Sequence, residues 1–440
     1  MGDVSQGSRQ KPSRAAEFST DEKFAIALDR EDRLATFRGR FHIPTRSDGR
    51  DAAYLCGNSL GLQPCAASGI VEQELDDWAH LAVDAHFEGA TPWYTYQEVF
   101  REPTARLVGA EPEEVVVMNA LTVNLHLMLI SFYRPTAGRF KILMEENAFP
   151  SDTYAVKSQI RNHGLDPDAA LLIARGRPGE AILRTEDVEE LIEQEGDRIA
   201  LVMMGGVNYF SGQLFEMRRI TECARRRGAV VGFDLAHAAG NVPLEMSDWN
   251  VDFAVWCSYK YLNAGPGAVA GCFVHRRHLG DRDLPRLAGW WGNDPQTRFR
   301  MHLEPEFVPV ARADGWQLSN PPILALAPLQ ASLALFDEAG APALRAKSQR
   351  LTAYLEAWID EVDDARVRVL TPRDPDARGC QLSLQLRDGA PEMFRVLVDH
   401  GVIGDYREPD TVRVAPVPLY NTFHDVWRFG QGLRRWSSGD

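Results

Sequence analysis

From about residue 112 the sequence alternates short apolar runs with segments of helical spacing. EVVVMN begins at 114, KILMEE at 141, LLIAR at 171, IALVMMGGV at 199, AVVGFD at 229, DFAVWCS at 252 and AGCFVHR at 270. Helix-like stretches at 122–131, 151–162, 186–195 and 216–227 fill most of the gaps between the first six. Strands that are apolar along nearly their whole length have no solvent face, and strands joined by helices run parallel. The spacing therefore predicts an α/β domain with a mostly parallel sheet covered by helices on both faces. Ligands of such sheets sit beyond the carboxyl ends of the strands.

Composition narrows the class. A chain of 440 residues, 45% hydrophobic and 25% charged, can bury a large core and suggests two or three domains. A net charge of −14 argues against nucleic-acid or anionic-membrane partners. No apolar run approaches the roughly 20 residues that span a bilayer. The polar N-terminus has no signal-peptide core, and Gln6 breaks the myristoylation pattern. Cys56, Cys65, Cys223, Cys257, Cys272 and Cys380 are scattered without a CxxC pair. That pattern suits reduced thiols in a cytoplasmic protein, with no metal site.

Outside the alternating region, residues 1–20 read as a disordered tail and 20–45 as helical. YLCGNSLGLQP (54–64) is a glycine-punctuated loop, followed over 66–84 by a helix carrying Ile70, Leu75, Trp78 and Leu81. One long helical segment, Leu324 to Val362, leads into a smaller α+β domain. There Cys380, Leu382, Leu384 and Leu386 alternate onto one strand face, a helix at 391–400 stops at Gly401, and VIGDYR with TVRVAP forms a hairpin around EPD. A last helix covers 422–436. The expected division is a tail (1–20), an N-terminal segment packing on the small domain (21–65), a large domain (66–325) and the small domain (326–440).

Two residues carry the chemistry. The chain has six lysines, and Lys260 alone follows an apolar strand-like run and precedes a glycine-rich turn. A lysine in apolar surroundings can serve as an amine nucleophile or base, although a packed stem with a solvated head is the commoner arrangement. Asp234 ends the strand AVVGFD, with His237 three residues on; alone it could be a turn or cap aspartate. A carboxylate and a lysine delivered to one crevice are what pyridoxal phosphate needs: a Schiff-base amine and an acid that keeps the ring nitrogen protonated. ALTVN (120–124) follows a strand and opens a helix, so its N–H groups and the Thr122 hydroxyl can meet a phosphate, or Thr122 can simply cap the helix. AFPSD (148–152) occupies the equivalent place after the next strand, where Phe149 lies on a ligand ring or in the core. NAGPGAVAG (263–271) lacks GxGxxG spacing and is a weak dinucleotide signal.

With YLCGNSLG, NALTVNLHLML, AFPSD, GFDLAHAAGNV, WCSYKYLNAGPG, LAGWWG, SNPPIL and VRVAPVPLYN, spread over residues 54–424, the chain closely resembles the kynureninase family. These are pyridoxal-phosphate enzymes of fold type I, the aspartate-aminotransferase-like fold. The resemblance implies hydrolytic Cβ–Cγ cleavage of L-kynurenine or its 3-hydroxy analogue to an anthranilate and L-alanine, in tryptophan catabolism, by a homodimer with shared sites. It implies that Lys260 bonds the cofactor and is the base at Cα. Asp234 pairs with the ring nitrogen beside His237, and Leu121 and Thr122 hold phosphate. Phe149, Pro150, Ser151 and Asp152 line the cofactor. Tyr259 binds phosphate and is a candidate proton donor, while Trp290 and Asn320 complete the site across the dimer interface. Arg413 takes the substrate α-carboxylate, and His86 and Asn320 contact its aromatic ring. Arg413 suits that role physically, since in TVRVA it faces away from Val412 and Val414 and a guanidinium binds carboxylates bidentately. Two departures stand out: Gly205 where many relatives have serine, and Asn293 where they often have histidine. A cysteine desulfurase, needing a cysteine on a mobile loop, and a non-catalytic cofactor-binding relative are the alternatives.

Overall fold

The alternating region forms one seven-stranded sheet. In the computed structural model, which describes residues 18–304 and 306–439, its order is Val115–Val117, Gly271–Val274, Phe253–Trp256, Val230–Asp234, Ile199–Gly205, Lys141–Glu145, Leu171–Ala174. Gly271–Val274 runs antiparallel to both of its neighbours, and the four other adjacent pairs are parallel. Side chains alternate between two separate cores. Leu143, Val202, Met204, Val231, Phe233, Ala254 and Trp256 pack on one face; Ile142, Met144, Leu201, Met203, Phe253 and Val255 pack on the other. Each fully buried aliphatic or aromatic side chain contributes about 1.5–3 kcal/mol, which explains why these runs tolerate no polar alternation.

Helices Leu121–Phe132, Pro150–Asn162, Thr185–Glu195 and Met217–Arg226 make the crossovers, within a residue or two of the expected spans. The segment from 324 to 362 is not one helix. Ile323–Ala339 and Ala341–Val362 meet at an angle of 85°. Gly340 sits at φ +76°, and Pro342 opens the second helix, so the backbone turns where glycine permits it and proline prevents straight continuation. Among the described residues no single helix is long and apolar enough to cross a membrane.

The small domain is an antiparallel sheet in the order Asp405–Arg407, Thr411–Val414, Leu382–Leu386, Val367–Val369. It is backed by helices Ala341–Val362, Ala390–Asp399 and Phe423–Ser438 around a core of Leu382, Leu384, Val412, Val414, Trp358 and Phe429. Val402–Ile403 does not join the expected hairpin but pairs in parallel with Ala53–Tyr54. The stretch 20–45 is a helix only over Glu22–Glu31, followed by a 3₁₀ segment, Ala35–Arg40. Asp29 accepts from the N–H groups of Phe423 and His424, which fixes this N-terminal segment on the last helix. Residues 1–17 lie outside the described residues. Phe18 packs on Phe24 and Tyr354, and Ser19 and Thr20 accept from Tyr354 and Trp427, so these three residues are held in place rather than disordered.

Helix Ala67–Leu81 turns two acidic side chains inward and part of its apolar stripe outward. It buries Ala67, Glu74 and Asp77, and Glu74 accepts from Trp93 Nε1 at 2.7 Å. Leu75 and Trp78 face outward, 43% and 59% exposed. The polar pairing of Glu74 holds that side inward and leaves an apolar face uncovered on this chain.

Candidate active site

The carboxyl ends of the parallel strands deliver the side chains to one cavity of about 160 Å³, lined by Leu121, Thr122, Glu145, Phe149, Ser151, Asp152, Gly205, Tyr209, Asp234, His237, Tyr259 and Lys260 among others. Asp234 is the last residue of its strand and accepts from the Ala236 N–H at 2.6 Å, which fixes one carboxylate oxygen. Lys260 comes from the turn after Phe253–Trp256. The loop at 54–64 buttresses this turn: the Gly61 N–H donates to the Tyr259 carbonyl at 2.8 Å, and a Cβ at Gly61 would come within 2.3 Å of the Lys260 carbonyl oxygen. Only glycine allows that approach. Lys260 Nζ lies 3.0 Å from His237 Nε2, 5.7 Å from the Phe149 ring centre and 5.9 Å from that of Tyr259.

The floor of the cavity is acidic. Burial and the nearby Asp234 charge push Glu145 up to about 7. Burial and the charge of Asp234 also push Asp152 well above the carboxylate range, offset in part by Lys260. Burial, then the charges of Lys260, Arg413 and Arg407, push His237 well below the imidazole range, so its ring is neutral. Burial raises the Tyr259 phenol, which stays protonated. Among the described residues, Glu145 Oε2, Asp152 Oδ1 and His237 Nδ1 are buried without a hydrogen-bond partner. Three orphaned polar atoms around one cavity fit a polar, partly cationic ligand. Helix Leu121–Phe132 begins after Ala120 with no side-chain cap among the described residues, so Thr122 is not the N-cap. Its hydroxyl is 3.3 Å from the Ser151 hydroxyl, and both line the cavity beside the helix terminus. That is a place for phosphate. The residues present therefore fit pyridoxal phosphate.

Other expected residues lie elsewhere on the chain. Pro150 is the exposed first residue of its helix and is not among the residues lining the Lys260 cavity. His86 and Asn320 line a second cavity of about 490 Å³ with Glu74, Trp78, Trp93 and Trp291. Trp290 is 38% exposed and donates to the Arg298 carbonyl at 3.2 Å, outside both cavities. Arg413 is 1% exposed, with Nη1 on the Tyr209 carbonyl at 2.6 Å and Nη2 on Asp405. The buried amide of Asn293 engages Thr297 Oγ1 and the Val308 N–H, so it braces its own loop. At Gly205 a Cβ would meet Glu145 Oε1 at 3.0 Å, and the Gly205 N–H donates to that oxygen at 3.1 Å; the Glu145 carboxyl fills the space a side chain at 205 would take.

Glu145, Tyr209 and Asp405 escaped the sequence reading. Glu145 ends the strand Lys141–Glu145, as Asp234 ends its own, and that position at a strand's carboxyl end is the signal that marks it. Tyr209 stands edge-on to Phe149, with ring centres 5.2 Å apart, and its loop is held by Arg413 and Gln381 from the small domain. No local pattern marks such a contact.

A doubly covered, mostly parallel sheet with a lysine, an aspartate and a helix N-terminus at its carboxyl end defines a fold-type-I pyridoxal-phosphate enzyme. The fold matches a cysteine desulfurase from Escherichia coli with a TM-score of 0.73, at 17% identity over 91% of this chain and 98% of that one. A cysteine desulfurase from Thermococcus onnurineus NA1 gives 0.70, at 16% identity over 88% and 95%. At those identities the likeness is one of fold. Residues 344–433 match the family described as Kynureninase C-terminal domain. A kynureninase from Koribacter versatilis is 55% identical over 417 residues, 95% of this chain and 98% of its own, and one from Myxococcus xanthus is 57% identical over 416 residues, 94% and 97%. The chain belongs to the kynureninase family.

Proposed function

We infer that this chain hydrolyses the Cβ–Cγ bond of L-kynurenine, or of its 3-hydroxy analogue, to an anthranilate and L-alanine. The observation that carries this reading is Lys260 beside neutral His237, in one cavity with Asp234, Asp152 and Glu145, in a chain more than half identical to kynureninases along nearly its whole length. None of the six cysteines lines the Lys260 cavity, which disfavours desulfurase chemistry.

Pyridoxal phosphate, when bound, supplies an aldehyde for the substrate amine and an electron sink for charge at Cα. Thr122, Ser151 and the first turn of Leu121–Phe132 would hold its phosphate, and Asp234 its ring nitrogen, with Asp152 sharing protons behind it. Lys260 moves the proton at Cα; its amine sits on the neutral His237 acceptor, within reach of the cavity. Arg413 binds the α-carboxylate and so orients the side chain. Water adds to the side-chain ketone, the Cβ–Cγ bond breaks, and the Tyr259 phenol donates at Cβ. Positioning and fixed charge account for much of the acceleration.

His86, Asn320 and Trp290 join this site from a second copy. Their separation from the Lys260 cavity supports that, as do the exposed Leu75, Trp78, Phe87, Leu324 and Trp290, an apolar set of the kind that marks an interface. The free cysteines agree with a reducing, cytoplasmic setting. Anthranilate fluorescence, followed side by side with L-kynurenine and 3-hydroxy-L-kynurenine, tests the activity and ranks the two; release of neither product overturns it.

A further inference from the structure

Asp405 and Arg413 are direct partners across antiparallel strands, and Arg413 Nη2 donates to Asp405 Oδ2. The same Oδ2 accepts from Arg407 Nε at 3.3 Å, with Arg407 Nη2 also 3.3 Å away. Two guanidinium groups thus share one carboxylate. Their settings differ: the Arg413 side chain is 1% exposed, that of Arg407 is 42% exposed, and Asp405 at 14% lies between. Arg413 Nε is buried without a partner among the described residues, and Arg413 is absent from the lining of the Lys260 cavity. Tyr209 stands between them: it lines the cavity, its carbonyl holds Nη1, and its ring centre is 5.8 Å from the Arg413 guanidinium carbon.

We propose that Asp405 is a resident counter-ion for Arg413 that the substrate carboxylate displaces, with Arg407 taking the displaced Asp405 carboxylate. This rests on Arg413 being the carboxylate-binding residue. A buried arginine without a counter-charge is costly, so in the ligand-free protein an internal carboxylate must stand in for the substrate. Two arginines with one carboxylate become two matched pairs once a second carboxylate arrives. Among the described residues the strand Asp405–Arg407 is the edge of its sheet, bonded on one side only, so it can shift without breaking a second ladder. Asp405 and Arg407 lie two residues apart on the same strand face, so the exchange needs a change of side-chain rotamer and no change of register. Arg413 is then shielded from anions that lack the rest of the substrate. Asp405 acts through Arg413 and is a positioning residue.

The test uses the holoenzyme, the KM and kcat for L-kynurenine, and inhibition by L-alanine against L-alaninamide, which differ only in the carboxylate. Asp405→Asn keeps an acceptor for Nη2 and removes the competing charge. It should lower the KM and the L-alanine inhibition constant by about threefold, with kcat little changed and the L-alaninamide constant unmoved. Arg407→Ala removes the acceptor of the displaced carboxylate and should raise the same two constants. Because Arg407 is a half-exposed edge residue, this arm reads out even if Asp405→Asn fails to fold. A raised KM in Asp405→Asn, an equal shift for L-alaninamide, or no effect of Arg407→Ala would each overturn the exchange and leave Asp405 as scaffold. Arg413→Ala separates the underlying reading: if the ratio of the L-alanine and L-alaninamide constants stays at the parent value, Arg413 does not bind the carboxylate at all.

Discussion

Lys260 Nζ and His237 Nε2 are 3.0 Å apart, and the imidazole is held neutral by burial and by the positive charges of Lys260, Arg413 and Arg407. A neutral ring whose Nε2 accepts from the Lys260 amine carries its proton on Nδ1, an atom with no partner among the described residues. The pair aims the amine while His237 keeps one donor for a ligand.

Lys260→Ala should fold with an unchanged far-UV spectrum and lose anthranilate release by about 10²–10⁴-fold or more. Lys260→Arg should not restore it, because a guanidinium does not give up its proton near neutral pH. Turnover of Lys260→Ala at the parent rate would remove Lys260 from the chemistry.

Glu145 makes stability depend on pH in an unusual direction. Its carboxyl titrates near 7 in the folded chain and at 4.5 as an ordinary glutamate. Between those values the folded cofactor-free protein holds a proton that the unfolded chain has lost, so stability falls as pH rises through the window. The loss reaches about 3 kcal/mol above pH 7 and is absent below pH 4.5. Glu145→Gln keeps an acceptor for the Gly205 N–H and cannot ionise. Urea unfolding should therefore show the variant gaining on the parent between pH 5 and pH 8; a constant difference would mean that Glu145 is ionised in the fold.

The sheet was legible because its signal is repeated and local. Seven apolar runs in sequence have few ways to pack, and Asp234 and Lys260 inherit their positions from that order. The Arg413–Asp405 pair was not legible, since it depends on the cross-strand register of a short hairpin. The bend at Gly340 could be anticipated from Ala-Gly-Ala-Pro, but Ile323–Ala339 and Ala341–Val362 share so strong a helical pattern that the break is easily read through. The exposure of Leu75 and Trp78 was not legible for a different reason: periodicity reports that a face is apolar, not whether this chain or another covers it.

Gly61 should tolerate no side chain. In Gly61→Ala the new Cβ meets the Lys260 carbonyl and Asn263 Oδ1, each at 2.3 Å, so the turn presenting Lys260 must move. A cost of about 1–3 kcal/mol in thermal unfolding is expected, with a larger drop in kcat than change in KM. Gly69→Ala is the control. It lies in helix Ala67–Leu81 with nothing within 4 Å, and should gain up to about 1 kcal/mol. Equal behaviour of the two variants would count against the Gly61 contact.

If two copies share the site, as proposed, the sharing has a quantitative consequence. Lys260→Ala disables the cofactor half, and a paired His86→Ala, Asn320→Ala variant disables the half that lies in the separate cavity. Each homodimer alone is inactive or nearly so. In a mixed dimer with two-fold symmetry of fold, one site collects both defects and the other is entirely native. Random exchange of equal amounts makes about half of the dimers mixed, each with one working site, so activity should return to about a quarter of the parent value. If each chain carried a complete site of its own, mixing would restore nothing. Trp78→Asp, which places a charge on the exposed apolar face of Ala67–Leu81, should abolish the recovery by preventing assembly, with a shift to monomer in analytical ultracentrifugation. Recovery of activity by the mixture, lost again with Trp78→Asp, would tie the outward-facing tryptophan to the completion of the Lys260 site.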